Sequence, residues 1–535
     1  MFSPAPTPTK MHEWDTIAIN KYKIPGRVLM ENACREAFAV LAATYSKHSS
    51  ASTDASKFAY PPYDTCKIFA GKSICILAGS GNNGGDGFGL ARYLHDAGAA
   101  VAIYHTAPLN TYKAETAANM RLARQLGIPL HRLSKTKTIE FHKADIIIDA
   151  LLGTGFSGEL REATLHYVRS VNTIADRLFV FSLDIPSGLN GLTGLPQPEA
   201  ITAHATVTFE NAKIGLLQPS ATQYTGELHA RAIGIPEAVK QEAPCDQHLI
   251  TPEILRAATT TDSEMHKGTA GRVLIIGGSD SMAGAPSLAA RGALRAGCGV
   301  VTTIVPKKVQ PVTAQFLPEM MTAPAGTDAF WTEECVASVT PHLHNVQAVV
   351  IGPGMGREKE AEEFLRALLP ALPKGLPKII DADALFHLSN MPDELQKLDA
   401  NTILTPHPGE MAMLAKESIT KVQNNRLTTA RKFCDSFSGI LALKGAGTIV
   451  QYKQKGYICS EVAANLATAG SGDVLTGVIA SLLARKTPPL TATCAAVFWH
   501  AKAGQHIHAS FPDRGNLASD IADVLPIVIK ETIHD

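Results

Sequence analysis

Two series of short apolar runs, each ending in a glycine-rich or acidic turn, govern what this chain can fold into. The first comprises "SICILA" (73–78), "AAVAIYH" (99–105), "ADIIIDA" (144–150), "LFVFSLD" (178–184) and "ATVTF" (205–209). The second comprises "RVLIIGG" (272–278), "GVVTTIVP" (299–306), "QAVVIGPG" (347–354), "PKIIDADAL" (377–385), "NTILTPHPGE" (401–410) and "GILALKGAGT" (439–448). Such runs read as strands buried on both faces, and the helical segments between them predict parallel sheets covered by helices. The fold class is therefore α/β, with two three-layer units in tandem. A chain of 535 residues is also too long for one ordinary core.

The alternation lapses at "PEAVKQEAPCDQHLI" (236–250), which reads as a linker and divides the chain into 1–240 and 241–535. Ahead of the first strand, "MHEWDTIAINKYKIPGRVLMENACREAFAVLAATYS" has helical spacing and splits into two helices at Pro25-Gly26. A polar, Ser-rich loop (47–65) follows. The C-terminal segment reads as helical from Gly472.

Composition excludes several functions. Lys+Arg and Asp+Glu are equal at 49 each, so neither nucleic acid nor an anionic membrane surface is expected as main partner. No run of eighteen apolar residues exists, and "MFSPAPTPTKMHEWD" contains no hydrophobic signal core. The nine cysteines are scattered without a C-x-x-C, which suits buried thiols in a reducing compartment. A cytoplasmic homo-oligomer acting on small molecules is expected.

In the first unit, "LAGSGNNGGDGFGLARYL" (77–94) contains G-x-G-x-x-G at Gly79, Gly81 and Gly84. A dinucleotide fold of the dehydrogenase kind also needs an acid at the end of the next strand, and that strand ends at His105 instead. Two later strands run into aspartates, at "IIIDALLGTGFSG" and "FVFSLDIPSGLNG". In an open parallel sheet the C-terminal strand ends face one crevice, so Asp149, Asp184 and the Asn82–Asp86 loop should gather there. Asn83, Asp149 and Ser187 offer hard oxygen ligands for a hard cation. "LMENA", "GNNGGDGFGLARYL", "DALLGTG", "LDIPSGLNG" and "TFENAKIG" together resemble the NAD(P)H-hydrate epimerase family, with a Rossmann-like sheet. The resemblance implies that Asn82, Asn83, Gly84, Gly85, Asp86, the loop Gly153, Thr154, Gly155, Phe156, Ser157, Gly158 and Glu159, and Asp184 line a hydrated-dinucleotide site. It implies potassium on Asn83, Asp149 and Ser187, and Asp184 as catalytic acid/base. Lys213 matches the family's lysine, or is a surface lysine.

In the second unit "LATAGSGDVLTG" (466–477) opens a helix with glycines, as a phosphate-binding loop does, yet Asp473 follows Gly472 where a P-loop has lysine. Backbone donors at Gly470–Gly472 suit a transferring phosphoryl group, and Asp473 suits a base kept ionised by the helix dipole. His407, between two prolines, sits in a rigid loop aimed at a ligand. Lys444 could neutralise phosphate. "MHKGTAGRVLIIGGS", "AGAPSLAARGALRAGCGVVT", "IGPGMG", "DADAL", "LTPHPGE", "LKGAGT" and "ATAGSGDVLTG" resemble the ribokinase-like ADP/ATP-dependent NAD(P)H-hydrate dehydratases. The resemblance implies that Lys444, Gly445, Ala446, Gly447, Thr448 and Gly472 contact the nucleotide. Ala285, Gly356, His407 and Asp473 would contact the hydrate, with Asp473 catalytic. It also implies ADP as phosphoryl donor with Mg2+, and NADHX and NADPHX as substrates. Ala270 and Ala469 depart from the usual aromatic and glycine, touching local shape only. Two rival functions are a vitamin-precursor kinase with a regulatory N-terminal half, and a nucleotide-sensing scaffold without turnover.

Overall fold

The computed structural model describes residues 1–48, 68–133, 141–259 and 264–534. The Ser-rich loop lies outside these, apart from Lys47 and His48, which end a helix. The chain forms two compact units: Pro4–Cys245, and Asp246–Asp535 together with Met1–Ser3. The strands in chain order are β1 (Phe2–Pro4), β2 (Ser73–Ala78), β3 (Ala100–His105), β4 (Leu130–Arg132), β5 (Ile146–Ala150), β6 (Phe179–Leu183), β7 (Ala205–Phe209), β8 (Glu227–Arg231) and β9 (Gln247–Ile250). They continue with β10 (Arg272–Ile276), β11 (Val300–Pro306), β12 (Met321–Ala325), β13 (Ala348–Ile351), β14 (Lys378–Ile380), β15 (Thr402–Leu404), β16 (Ile440–Leu443), β17 (Ile449–Tyr452) and β18 (Lys455–Ile458). Every run singled out from the sequence is one of these strands.

The first unit has a seven-stranded sheet in the order β4-β3-β2-β5-β6-β7-β8, with every pair parallel. The chain steps outward from β2 through β3 to β4, then returns to β5 on the other side. That reversal opens a crevice at the C-terminal ends of β2 and β5, where doubly wound sheets bind ligands. Ala78 pairs with Ala150 in register, so the loops after both strands leave from one level. The Asn82–Asp96 helix follows β2 so closely that a Cβ on Gly84 would lie 2.0 Å from Gly79 O, and one on Gly79 would lie 1.9 Å from Leu151 O. Gly79 and Gly84 therefore serve close backbone approach, whereas a Cβ on Gly81 would meet nothing within 4 Å. The helices Pro8–Asn20 and Gly26–His48 divide near Pro25-Gly26 as the sequence predicts.

The second sheet has eleven strands in the order β1-β9-β18-β17-β16-β15-β14-β13-β10-β11-β12. Strands β10 to β16 are parallel, and the β16-β17-β18 meander is antiparallel. The reversal of strand order falls between β10 and β13. Ile276 pairs with Ile351, Ile351 with Ile380, and Ile380 with Leu404, so the following loops start at one edge. Two helices, Ala285–Arg295 and Ser471–Ala484, pack closely: a Cβ on Gly477 would meet Ala289 O at 1.9 Å.

The expected linker at 236–250 is mostly ordered structure. It contains the Glu237–Glu242 helix and strand β9, which pairs with β18. Its polar residues had no apolar run to reveal a strand near the sheet edge. Eight cysteines are free and buried, and Cys66 lies outside the described residues. Among the described residues, no helix is long and apolar enough to cross a membrane.

Candidate active sites

The first site is built around Asp184, which ends β6 with φ +64°, in a region few residues other than glycine, Asn or Asp visit. Its backbone turn aims the carboxylate into the crevice. Oδ1 lies 2.6 Å from Lys213 Nζ. Oδ2 accepts from Thr154 N at 2.9 Å and from Thr154 Oγ1 at 2.5 Å. Lys213 is fully buried, and its ammonium also donates to Thr208 Oγ1 and Phe209 O, each at 2.9 Å. The surface alternative for this lysine is therefore wrong. Burial would raise the Asp184 pKa, but the Lys213 charge and the bonds from Lys213 and Thr154 outweigh it and hold the carboxyl below its ordinary value. Asp86 behaves oppositely. Burial and the neighbouring Asp184 charge push it well above the carboxylate range.

Gly153 lies against this cluster, for its Cβ would come 3.0 Å from both Asn83 Cβ and Asp184 Oδ2. Asn83, Gly84, Gly85 and Asp86 are buried in the first turns of their helix. Asn82, Gly155, Ser157, Gly158 and Glu159 are exposed, and Phe156 is half-buried against the apolar cluster beneath. The crevice therefore unites Asn83–Asp86, Gly153, Thr154 and Asp184. Asn82, Gly155 and Ser157–Glu159 lie on exposed surface.

Asn83 Nδ2 donates to Leu152 O at 2.8 Å and Leu183 O at 3.0 Å, which fixes its amide and leaves its buried Oδ1 without a hydrogen-bond partner among the described residues. Asp149, fully buried, accepts from Ser187 N (2.8 Å), Ser187 Oγ (2.6 Å), Ser182 Oγ (3.0 Å) and Leu151 N (3.3 Å). Among the described residues no lysine or arginine pairs with it. A buried carboxylate held only by neutral donors, near an orphaned amide oxygen, suits a monovalent cation. The Ser187 hydroxyl is engaged on Asp149, so its contribution would be shared.

In the second unit the loops after β10, β13, β14, β15 and β16 converge. Lys444 Nζ, at the end of β16, lies 2.7 Å from Asp381 Oδ1 at the end of β14, and 4.0 Å from Glu410 Oε2. Burial would lower the lysine, yet these two carboxylates outweigh it and raise its pKa. A Cβ on Gly472 would lie 3.2 Å from the same ammonium, so Lys444 faces the first turn of the Ser471–Ala484 helix. Arg426 braces the following turn, donating to Leu443 O, Lys444 O and Gly447 O at 3.1–3.3 Å. Asp473 is not kept ionised as the helix dipole alone suggests. Burial, with the charge of Asp381, pushes it up to about 8, and Lys444 offsets this only in part. Glu410 is likewise raised by burial to about 7.

His407 caps its helix: Nδ1 accepts from Gly409 N at 3.0 Å and Glu410 N at 3.2 Å, while Glu410 Oε2 accepts from His407 N at 2.8 Å. Burial and the nearby Lys444 lower its pKa, and its half-exposed ring places Nε2 3.3 Å from Glu410 Oε1. Gly356 N donates to Asp383 Oδ2 at 3.1 Å and Gly356 O accepts from His387 Nε2 at 2.9 Å. Arg357 pairs with Asp383 at 2.8 Å. Ala382, between the two aspartates, has φ +52°. Ala285 opens its helix beside Gly354, whose Cβ would lie 3.1 Å from Ala285 Cβ. Gly445, Gly447 and Thr448 form the turn after Lys444, where Thr448 Oγ1 donates to Gly445 O at 3.0 Å.

Asp381, Asp383 and Glu410 were present in the quoted motifs but not singled out. Arg426 carried no motif signal at all.

Two family models match the chain. One, described as YjeF-related protein N-terminus, covers residues 26–215, and one described as NAD(P)H-hydrate dehydratase covers 273–526. A Moorella thermoacetica protein named bifunctional NAD(P)H-hydrate repair enzyme Nnr is 33% identical, across 98% of this chain and 96% of its own length. The Escherichia coli protein of that name is 32% identical, across 86% and 85%. Among solved structures, an ADP/ATP-dependent NAD(P)H-hydrate dehydratase from Bacillus subtilis, co-crystallised with ATP/Mg2+, is 27% identical with a TM-score of 0.46, covering 53% of this chain and 98% of that one.

Proposed function

The chain belongs to the family of bifunctional NAD(P)H-hydrate repair enzymes, with an epimerase unit followed by a dehydratase unit, and from that premise we propose which residues perform each step. In the first unit, residues 1–240, Asp184 is the proton acceptor. Its support is the Lys213 ammonium at 2.6 Å, which keeps the carboxylate ionised. Asn83–Asp86 and Gly153–Glu159 hold the hydrated dinucleotide. Potassium is held by Asn83 and Asp149 with help from Ser187, and supplies positive charge for orienting phosphate or ring.

In the second unit, residues 241–535, Asp473 is the base that takes the proton from the ring hydroxyl of the S hydrate. A base is most efficient when its pKa lies near the working pH, and about 8 meets that condition. The hydroxyl oxygen attacks the terminal phosphorus of ADP, and AMP leaves. Lys444 and the backbone N–H groups at Gly470–Gly472 neutralise charge on the transferring group. Ring nitrogen then expels phosphate, the adjacent carbon loses a proton, and the double bond returns. Lys444–Thr448 hold the nucleotide, while Ala285, Gly356 and His407 seat the hydrate. Mg2+ would arrive on the nucleotide phosphates. The eight buried free thiols suit a cytoplasmic setting.

The observation that carries the dehydratase assignment is the Lys444 ammonium facing Gly472, one residue before Asp473. Incubating Asp473→Asn with S hydrate and ADP tests it: nucleotide should bind, and dehydration should slow by about 10²–10⁴-fold. Turnover near that of the unaltered enzyme would remove Asp473 from this role.

A further inference from the structure

A half-buried guanidinium lies against the turn that follows β16, and it has no counter-ion. Arg426 begins the Arg426–Cys434 helix, which packs against β16 and β17. Its Nη2 donates to Leu443 O at 3.1 Å and to Gly447 O at 3.2 Å, and its Nη1 donates to Lys444 O at 3.3 Å. Nη1 also reaches Gln423 Oε1 at 3.4 Å, while Nε is buried with no hydrogen-bond partner among the described residues. The charge on Lys444 is shared with Asp381 at 2.7 Å. Among the described residues no carboxylate pairs with Arg426. Burial acts on it unopposed and lowers its pKa to about 10, so it remains a cation at neutral pH.

The three carbonyls it holds decide where the turn's N–H groups point. The peptides joining 444 to 445 and 447 to 448 are trans, and in a trans peptide the N–H points opposite to the C=O. Pinning Lys444 O and Gly447 O on the guanidinium therefore turns the N–H groups of Gly445 and Thr448 away from it. Both residues lie outside every helix and strand, and neither N–H donates to another group among the described residues. Thr448 Oγ1 closes the turn by donating to Gly445 O at 3.0 Å, and Lys444 N ties it to Pro406 O at 2.9 Å. Residue 445 has to be glycine here: its φ is +140°, and a Cβ would lie 2.5 Å from Arg426 Nη1.

We propose that Arg426 is a positioning residue for the nucleotide, holding these carbonyls so that the Gly445 and Thr448 N–H groups receive a phosphate. The proposal rests on the assignment of Lys444–Thr448 to the nucleotide made above. Lys444 and Gly470–Gly472 are already assigned to the transferring group. The phosphate left for the two N–H groups is the one that departs in AMP. Adjacent free N–H groups make an anion-binding concavity, and an unpaired cation behind them adds attraction that a neighbouring carboxylate would cancel. A planar fork suits the task because it can meet several carbonyls at once, which a single ammonium does less well.

The test compares the full-length enzyme with Arg426→Met and Arg426→Lys. KM for ADP and for S hydrate, kcat, and inhibition by AMP and by adenosine are measured on each, with thermal melting on the same samples. In the unaltered enzyme AMP should inhibit more strongly than adenosine. Arg426→Met should weaken ADP and AMP about tenfold or more, while adenosine inhibition and KM for S hydrate stay within about twofold. Arg426→Lys keeps the charge without the fork and should stay closer to Arg426→Met than to the unaltered enzyme. If Arg426→Met melts below the assay temperature, Arg426→Lys carries the same comparison. An unchanged KM for ADP, equal losses for AMP and adenosine, or full recovery by Arg426→Lys would each overturn the proposal. Hydrogen exchange of residues 440–450 in the unaltered enzyme, with and without AMP, separates the two assignments. Protection by AMP together with unchanged affinity in Arg426→Met leaves the turn on the nucleotide and ends only the Arg426 proposal. No protection removes the turn from the nucleotide, and the proposal falls with it.

Discussion

Lys444 Nζ sits 2.7 Å from Asp381 Oδ1, joining the ends of β16 and β14 beside the helix start that carries Asp473. The first unit repeats the device with Lys213 and Asp184 at 2.6 Å. Each pair puts an ammonium, fully buried for Lys213 and half-buried for Lys444, at the C-terminal edge of a parallel sheet. The partners differ in consequence: Lys213 depresses the carboxyl it touches, whereas Lys444 leaves the neighbouring Asp473 raised to about 8.

Removing the first ammonium should therefore change pH dependence as well as rate. In Lys213→Met, burial would act on Asp184 unopposed and raise its pKa. The acid limb of interconversion, now below the ordinary carboxylate value, should move up toward neutrality. Breaking a buried pair by deleting one partner typically costs about 3–5 kcal/mol. In the unaltered protein the Asp184 pair stabilises above the ordinary carboxylate pKa, and that share is lost as pH falls through its depressed value. Urea melts at pH 3 and pH 7, with rates from pH 4 to 8, check both points. An unmoved acid limb would contradict the account.

Asp473 has the opposite linkage. Its raised pKa means the folded state binds a proton that the unfolded state has released between pH 3.8 and about 8, so its contribution destabilises as pH rises across that window. Asp473→Asn imitates the protonated form and should melt higher than the unaltered enzyme at pH 8, with little difference at pH 4. Scanning calorimetry at the two pH values decides this. A helix-cap role predicts near-equal melting at both, since Asn caps about as well as Asp.

The potassium proposal rests on Asn83 Oδ1 and Asp149, both buried, the first without a hydrogen-bond partner and the second without a cationic one among the described residues. Replacing potassium by choline should lower interconversion in the unaltered enzyme, and Asn83→Ala should lose that response. Anomalous density from a potassium crystal would be expected between these two side chains' oxygens. Equal rates in both salts, for enzyme and variant alike, would count against the cation.

His407 can be separated into cap and ligand contact. His407→Ala removes the acceptor used by Gly409 N and Glu410 N and should cost about 0.5–2 kcal/mol. His407→Asn retains a capping oxygen and should recover most of that stability. If the ring also touches the hydrate, both variants should raise KM for the S hydrate, since neither presents the Nε2 side. A KM restored by Asn would leave only the cap.

The strands were legible where they are central. β2, β5, β6 and β10 to β16, except β12, are apolar because both faces are covered. The strands that escaped notice are near edges or in the meander: β8 reads "ELHAR" and is largely exposed, and β12 reads "MTAPA" with Met321 and Pro324 exposed. β9 read as a linker because Gln247 and His248 gave no apolar run. The sites followed the same logic. Asp184, Asp149, His407 and Lys444 end buried strands, so the sheet itself announces where they point. Arg426 comes from a helix distant in sequence, and only packing brings it to the loop after β16. The raised pKa of Asp473 is not legible in the sequence, where the helix dipole is visible and its burial beside Asp381, Asp383 and Glu410 is not.

The central claim is that one chain carries out both repairs, with Asp184 serving the first and Asp473 the second. It is tested most directly by giving an R/S mixture of hydrated NADH and ADP to the enzyme and following the return of near-ultraviolet absorbance. The unaltered enzyme should restore the whole mixture. Asp184→Asn should restore the S share rapidly and then stall, and Asp473→Asn should restore almost nothing on the same timescale. Rapid full recovery by Asp184→Asn, or no recovery by the unaltered enzyme, would contradict the account.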